Sequence, residues 1–182
     1  MTVAGQASWM VRWASALGAL ALLAACDGAG GQAPDAYELG NLNPLNAVPK
    51  SSPSRLVATF AKACLDGPQT AVGAEAALRD DGFVPLPQRR NGVTVFVSDD
   101  LRPAVMVTPA AQSCAVVAEA RTGQTDAIRD MVARRFPGAA PISAPGKGLE
   151  QAWKTPQGIV FLRRSGSPKY RSRLMLGIWR SS

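Results

Sequence analysis

The chain of 182 residues contains no histidine. This absence excludes a Ser-His-Asp triad, a Cys-His dyad and any metal site with a histidine ligand from the chain. Acidic residues are also few, 13 against 20 basic residues, and none follows Glu150. With 47% apolar and 18% charged residues, the composition is nevertheless that of a globular protein.

Sequence motifs of common catalytic and nucleotide-binding sites are absent as well. There is no Gly-x-Ser-x-Gly motif, no phosphate-binding loop ending in Lys-Ser/Thr and no Gly-x-Gly-x-x-Gly. The pairs Asp80-Asp81 and Asp99-Asp100 could bind a cation or act as acid and base, although helix ends and turns also favour aspartate. The segment Ser165–Lys169 contains a serine and a lysine but has the composition of a flexible loop. We therefore expect a non-catalytic protein with no cofactor and no metal ion.

The amino terminus predicts export from the cytosol. Arg12 is the only charged residue among the first 25, and the 13 residues from Trp13 to Ala25 are uncharged. Such a run is shorter than the roughly 20 residues needed to span a bilayer. A basic residue, a short apolar run and small residues in this order are typical of a secretory signal peptide. Met10 is an alternative start, because the sequence from Met10 onward also forms a short complete signal.

The apolar run ends in Leu23-Ala24-Ala25-Cys26, which resembles the lipobox of bacterial lipoproteins. The resemblance implies that a diacylglycerol is attached to the Cys26 sulfur and that the chain is cleaved before Cys26. Two or three acyl chains would hold the protein stably on a membrane, since each buried methylene contributes about 0.8 kcal/mol. An ordinary signal peptide with a chance cysteine nearby is the alternative. Because Asp27 follows the cysteine, the resemblance also implies a location at the periplasmic face of the inner membrane. The outer membrane is the alternative.

The chain divides into three parts on composition. Residues 1–25 form the signal peptide, residues 26–53 the lipid-attachment cysteine and a flexible tether, and residues 54–182 a globular domain. The tether is rich in Gly, Pro, Asn, Ser and Ala, without a helical or strand period. A coil of this length has a root-mean-square reach of about 30 Å.

The pattern of the globular part predicts an α+β fold. Ser52 and Pro53 predict the start of a first helix, Gly82 the end of a second, and Thr125–Phe136 a third. Six β-branched or apolar runs predict strands, and the short turns between neighbours favour antiparallel pairing. We expect a single domain with a largely antiparallel sheet of about six strands in two three-strand groups, covered by about three helices. The six runs are 93–98, 104–108, 114–120, 149–154, 158–164 and 173–179.

Two cysteines remain once Cys26 is assigned to lipid. Cys64 lies on the apolar face of the first helix, and Cys114 begins a strand that this helix could cover. In an oxidising compartment they predict a disulfide, which would stabilise the fold by about 4 kcal/mol through its loop of about fifty residues. Two buried free thiols are the alternative.

The end of the chain is basic and aromatic. We expect an anionic partner there, either an envelope polymer, a phospholipid or an acidic protein, and no nucleic acid because of the export signal. Alternatively, these cations only deter aggregation of the strands. The sequence thus predicts a membrane-anchored periplasmic lipoprotein that acts as a binding module. The alternatives are a scaffold subunit that pairs through an exposed edge of its last strand, or a histidine-independent hydrolase. The candidate surface comprises Arg163, Arg164, Lys169, Arg171 and Arg173.

Overall fold

The computed structural model describes residues 48–68, 70–87, 91–143, 146, 148–167 and 170–180. Within these residues the chain forms three α-helices, which are α1 (Pro53–Phe60), α2 (Ala71–Asp80) and α3 (Gln124–Arg135). A π-helical turn, Ala61–Leu65, continues α1. The strands are β1 (Val84–Pro85), β2 (Thr94–Val97), β3 (Ala104–Thr108), β4 (Ser113–Glu119), β5 (Ala140–Pro141), β6 (Leu149–Thr155), β7 (Gly158–Ser167) and β8 (Tyr170–Trp179).

The ends of the first two helices follow from short polar residues and glycine. The Ser52 hydroxyl accepts a hydrogen bond from the Arg55 amide at 3.3 Å, and Pro53 occupies the first helical position, as predicted. The Thr70 hydroxyl caps α2 in the same way. Gly82 follows α2 with a φ of +78°, a left-handed conformation that glycine adopts without a steric penalty, so its predicted role as a helix stop is confirmed.

All strands belong to one antiparallel sheet in the order β1-β2-β3-β4-β8-β7-β6-β5. The α+β class and the antiparallel sheet are therefore confirmed, but the sheet has eight strands rather than about six, and the two predicted three-strand groups have four strands each. The two additional strands, β1 and β5, have two residues each and lie at the two edges. Each contains a proline, which an edge strand tolerates, and neither is long enough to show an alternating pattern.

The last strand lies in the middle of the sheet. β8 pairs with β4 from Arg173 to Trp179 and with β7 on its other side. The predicted exposed edge at the last strand is therefore wrong. The second half of the sheet begins at the outer edge with β5. The strands β6, β7 and β8 then follow in order toward the middle, where β8 pairs with β4.

The helices cover one face of the sheet. Leu56 and Phe60 of α1 and Ile128 of α3 are fully buried against Val116 of β4 and Leu176 of β8. Each of the three helices contributes its buried apolar residues to this single cluster. Because residues of alternate sequence position share a face of a strand, the cluster contains only one set of side chains from each strand.

A buried glutamine fixes the start of the folded part. The Gln124 side-chain amide donates to the carbonyls of Ser51 and Glu119, each at 3.1 Å, and its oxygen accepts from the Arg121 amide at 2.8 Å. The Pro49 carbonyl accepts a further bond from the Glu119 amide. Residues 49–53 thus pack with the domain, although the composition of the chain placed them in the tether.

The signal peptide and Cys26 lie outside the described residues, as does the tether up to residue 47. In the part of the chain that the structure describes, no helix is both long enough and apolar enough to cross a bilayer.

Candidate functional site

The predicted disulfide between Cys64 and Cys114 is present, with 5.4 Å between the two Cα atoms. Cys64 lies in the π-helical turn and is fully buried, and Cys114 lies near the start of β4. The bond therefore attaches the helical layer to the central strands. Its burial on the covered face indicates a structural role rather than a redox role.

The sheet face opposite the helices carries a second set of apolar side chains. In β7, Val160 and Leu162 belong to the helix-covered cluster, so Phe161 points to the opposite face. In β8, Leu176 and Ile178 belong to the same cluster, so their neighbours also point away from the helices. We name this second surface the open face. Its central residues are Met106, Ala115, Phe161, Met175, Gly177 and Trp179.

An aromatic stack occupies one end of the open face. The rings of Phe161 and Trp179 stack with centroids 3.9 Å apart at 20°. The Phe161 ring lies across Gly177, where an added Cβ would lie 2.7 Å from Phe161 Cε1 and 3.0 Å from the Ala115 Cβ. Trp179 remains 39% exposed. The glycine thus makes room for the Phe161 ring, which is 5% exposed, so that Trp179 is the accessible member of the stack. Tryptophan is enriched at protein interfaces.

Arg163 and Arg164 are neighbours in β7 but point to opposite faces. Arg164 lies on the helix side, where its Nε is 2.5 Å from Glu150 Oε1 and its Nη2 is 3.4 Å from the Thr125 hydroxyl. Arg163 lies on the open face, opposite Met175, and is exposed. Among the described residues, no carboxylate lies within salt-bridge distance of Arg163.

The structure describes the other three cations of the predicted surface, Lys169, Arg171 and Arg173, only in part. Arg173 points to the open face like Arg163, opposite Glu119 of β4 and Ser165 of β7. Arg171 belongs to β8, but its side chain, like the whole of Lys169, lies outside the described residues. The proposed pairing of Ser165 with Lys169 is outside them for the same reason. The five residues therefore do not form one surface, because Arg164 is turned to the helices.

The two aspartate pairs contribute one member each to a charged cluster. Arg102, in the loop between β2 and β3, lies between the two carboxylates, with its Nη1 3.0 Å from Asp81 Oδ2 and its Nε 2.7 Å from Asp100 Oδ2. Lys62 Nζ is 2.6 Å from Asp81 Oδ1. The Arg102 guanidinium also lies over the Phe83 ring, 4.2 Å from its centroid. The cluster ties the end of α2 to the loop.

Asp100 is held in its ionised form. Burial opposes the charge, but hydrogen bonds from the Ser98 hydroxyl at 2.7 Å and from Arg102, together with the Arg102 charge, outweigh it and lower the pKa of Asp100. A carboxylate with a lowered pKa and a guanidinium partner is a poor general acid at neutral pH. Within the described residues, no group of three or more acidic or cysteine side chains is arranged to hold a metal ion.

A cavity of about 360 Å³ lies beside this cluster, between α1 and α2. We name it the helix pocket. It lies among the helices, whereas the aromatic stack lies on the opposite side of the sheet. No sequence pattern predicts it, because its walls come from residues up to 47 positions apart, from Arg55 to Arg102.

The described residues thus form an α+β fold whose three helices lie on one face of the sheet. No protein-family model, no curated protein and no solved structure matches this chain significantly. The chemistry of the open face and of the helix pocket therefore carries the argument about function.

Proposed function

We propose that the protein is a lipid-anchored, non-catalytic binding module of the bacterial cell envelope. Cys26 carries the lipid, and the domain lies at the periplasmic face of the inner membrane, with the outer membrane as the alternative. The open face binds an anionic partner, which is an envelope polymer, a phospholipid or an acidic protein. The observation that carries this proposal is that Arg163 is exposed, has no carboxylate partner among the described residues, and lies on the same face as the stacked Phe161 and Trp179.

The combination of arginine with an exposed tryptophan suits this role. Tryptophan and arginine dominate the residues that contribute most to binding at interfaces. The Arg163 guanidinium can donate two parallel hydrogen bonds to a carboxylate or phosphate. Trp179 lies on the same face, four residues along β8 from the position opposite Arg163, and offers apolar contact area at a low cost in conformational entropy, because its ring already stacks on Phe161. Specificity for charge and affinity from apolar contact would thus come from two positions on one face of the sheet.

Because of the anchor and the tether, a modest intrinsic affinity for the partner would be sufficient. A domain held by a tether with a reach of about 30 Å samples only a thin layer above the membrane. Its effective concentration toward partners in that layer is high, so weak contacts are sufficient for binding. The basic residues of the open face would add electrostatic attraction that falls with rising salt.

The neighbouring arginines provide a matched test. The lipidated full-length protein is purified in detergent, so that micelles sequester its acyl chains, and is titrated with peptidoglycan, anionic vesicles and periplasmic extract at low and high salt. We expect Arg163→Gln to weaken salt-sensitive binding about fivefold or more, because it removes the uncompensated cation. Arg164→Gln removes the same charge from the helix side and should change binding less than twofold.

The proposal has clear points of failure. Equal losses in the two variants would exclude the open face as the binding surface. Absence of any salt-sensitive binding by the wild-type protein at low salt would exclude an anionic partner. Mass spectrometry of the same preparation tests the anchor, because an unmodified Cys26 sulfur in the mature chain would contradict it.

A further inference from the structure

The helix pocket is an apolar cleft of ligand size. Its floor consists of small side chains from α1, the π-helical turn and α2, namely the exposed Ala58 and Ala77 and the half-buried Ala63 and Ala74, together with the buried Leu78. The cleft is therefore open to solvent on one side. At roughly 30 Å³ for each heavy atom, a volume of about 360 Å³ holds about twelve atoms of a ligand. The small alanine side chains therefore leave a space that the apolar part of a small ligand can occupy.

The rim of the pocket has an excess of positive charge. Arg55, Lys62 and Arg102 face two carboxylates, and Arg102 and Lys62 are paired with those carboxylates at 2.6 to 3.0 Å. Arg55 donates a hydrogen bond to the backbone carbonyl of Asp100. Within the described part of the chain, no carboxylate neutralises Arg55. The rim thus has one cation with capacity for an additional anion.

Two features of the backbone hold the rim in place. The π-helical turn contributes Lys62 and Ala63 to the wall, and the disulfide at Cys64 fixes this turn to the sheet. π-Helical turns interrupt regular helices and are frequent at functional sites. On the other wall, Leu101 has a φ of +63° and is 57% exposed, an unfavourable conformation for leucine, and its two neighbours both line the pocket. The disulfide therefore constrains the wall that carries Lys62, and the Leu101 backbone places Asp100 and Arg102 on the wall opposite.

We propose that the helix pocket binds a small amphiphile with one anionic head group and an apolar chain of about eight carbons. The head group, a carboxylate or a phosphate monoester, contacts Arg55 at the rim, close to Lys62. The chain lies on the alanine-lined floor. The volume of the cavity limits the alkyl chain of the ligand to about eight carbons. The head group carries a negative charge because Arg55 has no carboxylate partner among the described residues. This site is separate from the open face, so either proposal can fail without the other.

Photoaffinity labelling tests this proposal with a readout that resolves the site. The lipidated full-length protein, in nanodiscs, is irradiated with an octanoate that carries a diazirine in its chain, and the labelled peptides are mapped by mass spectrometry. We expect the label on peptides from residues 53–65 and 71–80. A diazirine octylamine of the same length should not label them, because its head group is cationic. Competition with unlabelled octanoate and with octyl phosphate identifies the preferred head group.

Three variants separate the roles of charge and space. Arg55→Gln should reduce labelling of the pocket about tenfold or more, because it removes a charge-assisted contact. Ala77→Leu should reduce it similarly by filling the floor while every charge remains. Arg79→Gln changes an exposed arginine of α2 that does not line the pocket and should leave labelling unchanged. Thermal unfolding confirms that each variant is folded. Equal labelling by the cationic probe, a label spread over the surface, or full labelling of Arg55→Gln would overturn the proposal.

Discussion

The two faces of the sheet differ in how their side chains are covered. On the helix-covered face, branched apolar residues, the disulfide and the ion-paired Arg164 are all enclosed or paired within the domain. On the open face, the same strands carry a stacked aromatic pair and Arg163, which has no carboxylate partner in the part of the chain that the structure describes. The covered face is sufficient to explain why the chain folds. The exposure of Trp179 and Arg163 is not explained by folding, and the proposed contact with another molecule rests on it.

Removal of the disulfide should have the largest effect, and it should affect the covered face alone. A double Cys64→Ala/Cys114→Ala variant loses the constraint on a loop with a sequence separation of 50 residues. We expect the free energy of unfolding to fall by about 4 kcal/mol, measured by urea denaturation. Binding through the open face, measured for each folded molecule, should be unchanged. A loss below about 1 kcal/mol would show that the bond does little to hold the helical layer on the sheet.

A single methyl group should disturb the open face by a smaller amount. Gly177→Ala places a Cβ against the Phe161 ring and the Ala115 side chain, so we expect a loss of about 1–2 kcal/mol and a displaced aromatic stack. Thermal unfolding measures the first effect, and tryptophan fluorescence of the mature chain in a Trp153→Phe background reports the second. Gly138→Ala is the matched control, because no atom lies within 4 Å of its added Cβ and its φ is not positive. Equal effects in the two variants would contradict the packing of Phe161 over Gly177.

The covered face could be predicted from the sequence better than the sites. Helical periodicity and six apolar runs indicate the helices and the long strands, because burial imposes a regular pattern on them. The edge strands β1 and β5 have no such pattern, since two residues and a proline cannot show one. The sequence is sufficient to predict that Arg163 and Arg164 lie on opposite faces, because adjacent residues of a strand point to opposite faces. It does not predict that Asp81 and Asp100 share Arg102 as a partner, because this tertiary contact has no local pattern in the sequence.

The smallest effect should appear at the margin of the covered face, where Asp100 pairs with Arg102 within the β2–β3 loop. The pKa of Asp100 is lowered from its ordinary value of 3.8, so the unfolded chain binds a proton there more readily than the folded protein does. The resulting stabilisation is present above about pH 3.8 and is lost as the pH falls through the lowered pKa of the folded state.

Asp100→Asn should therefore cost less than about 1 kcal/mol at neutral pH, because exposed ion pairs contribute little. Its cost should vanish in strong acid, where the wild-type carboxylate is also protonated. Urea denaturation at a series of pH values measures this difference, with Asp99→Asn as the control, because Asp99 is exposed and has no ion pair among the described residues. If Asp99→Asn reproduced the pH-dependent loss, the effect would belong to net charge and not to the contact with Arg102. Packing alone, including the contact between the Arg102 guanidinium and the Phe83 ring, would then hold the margin of the covered face in place.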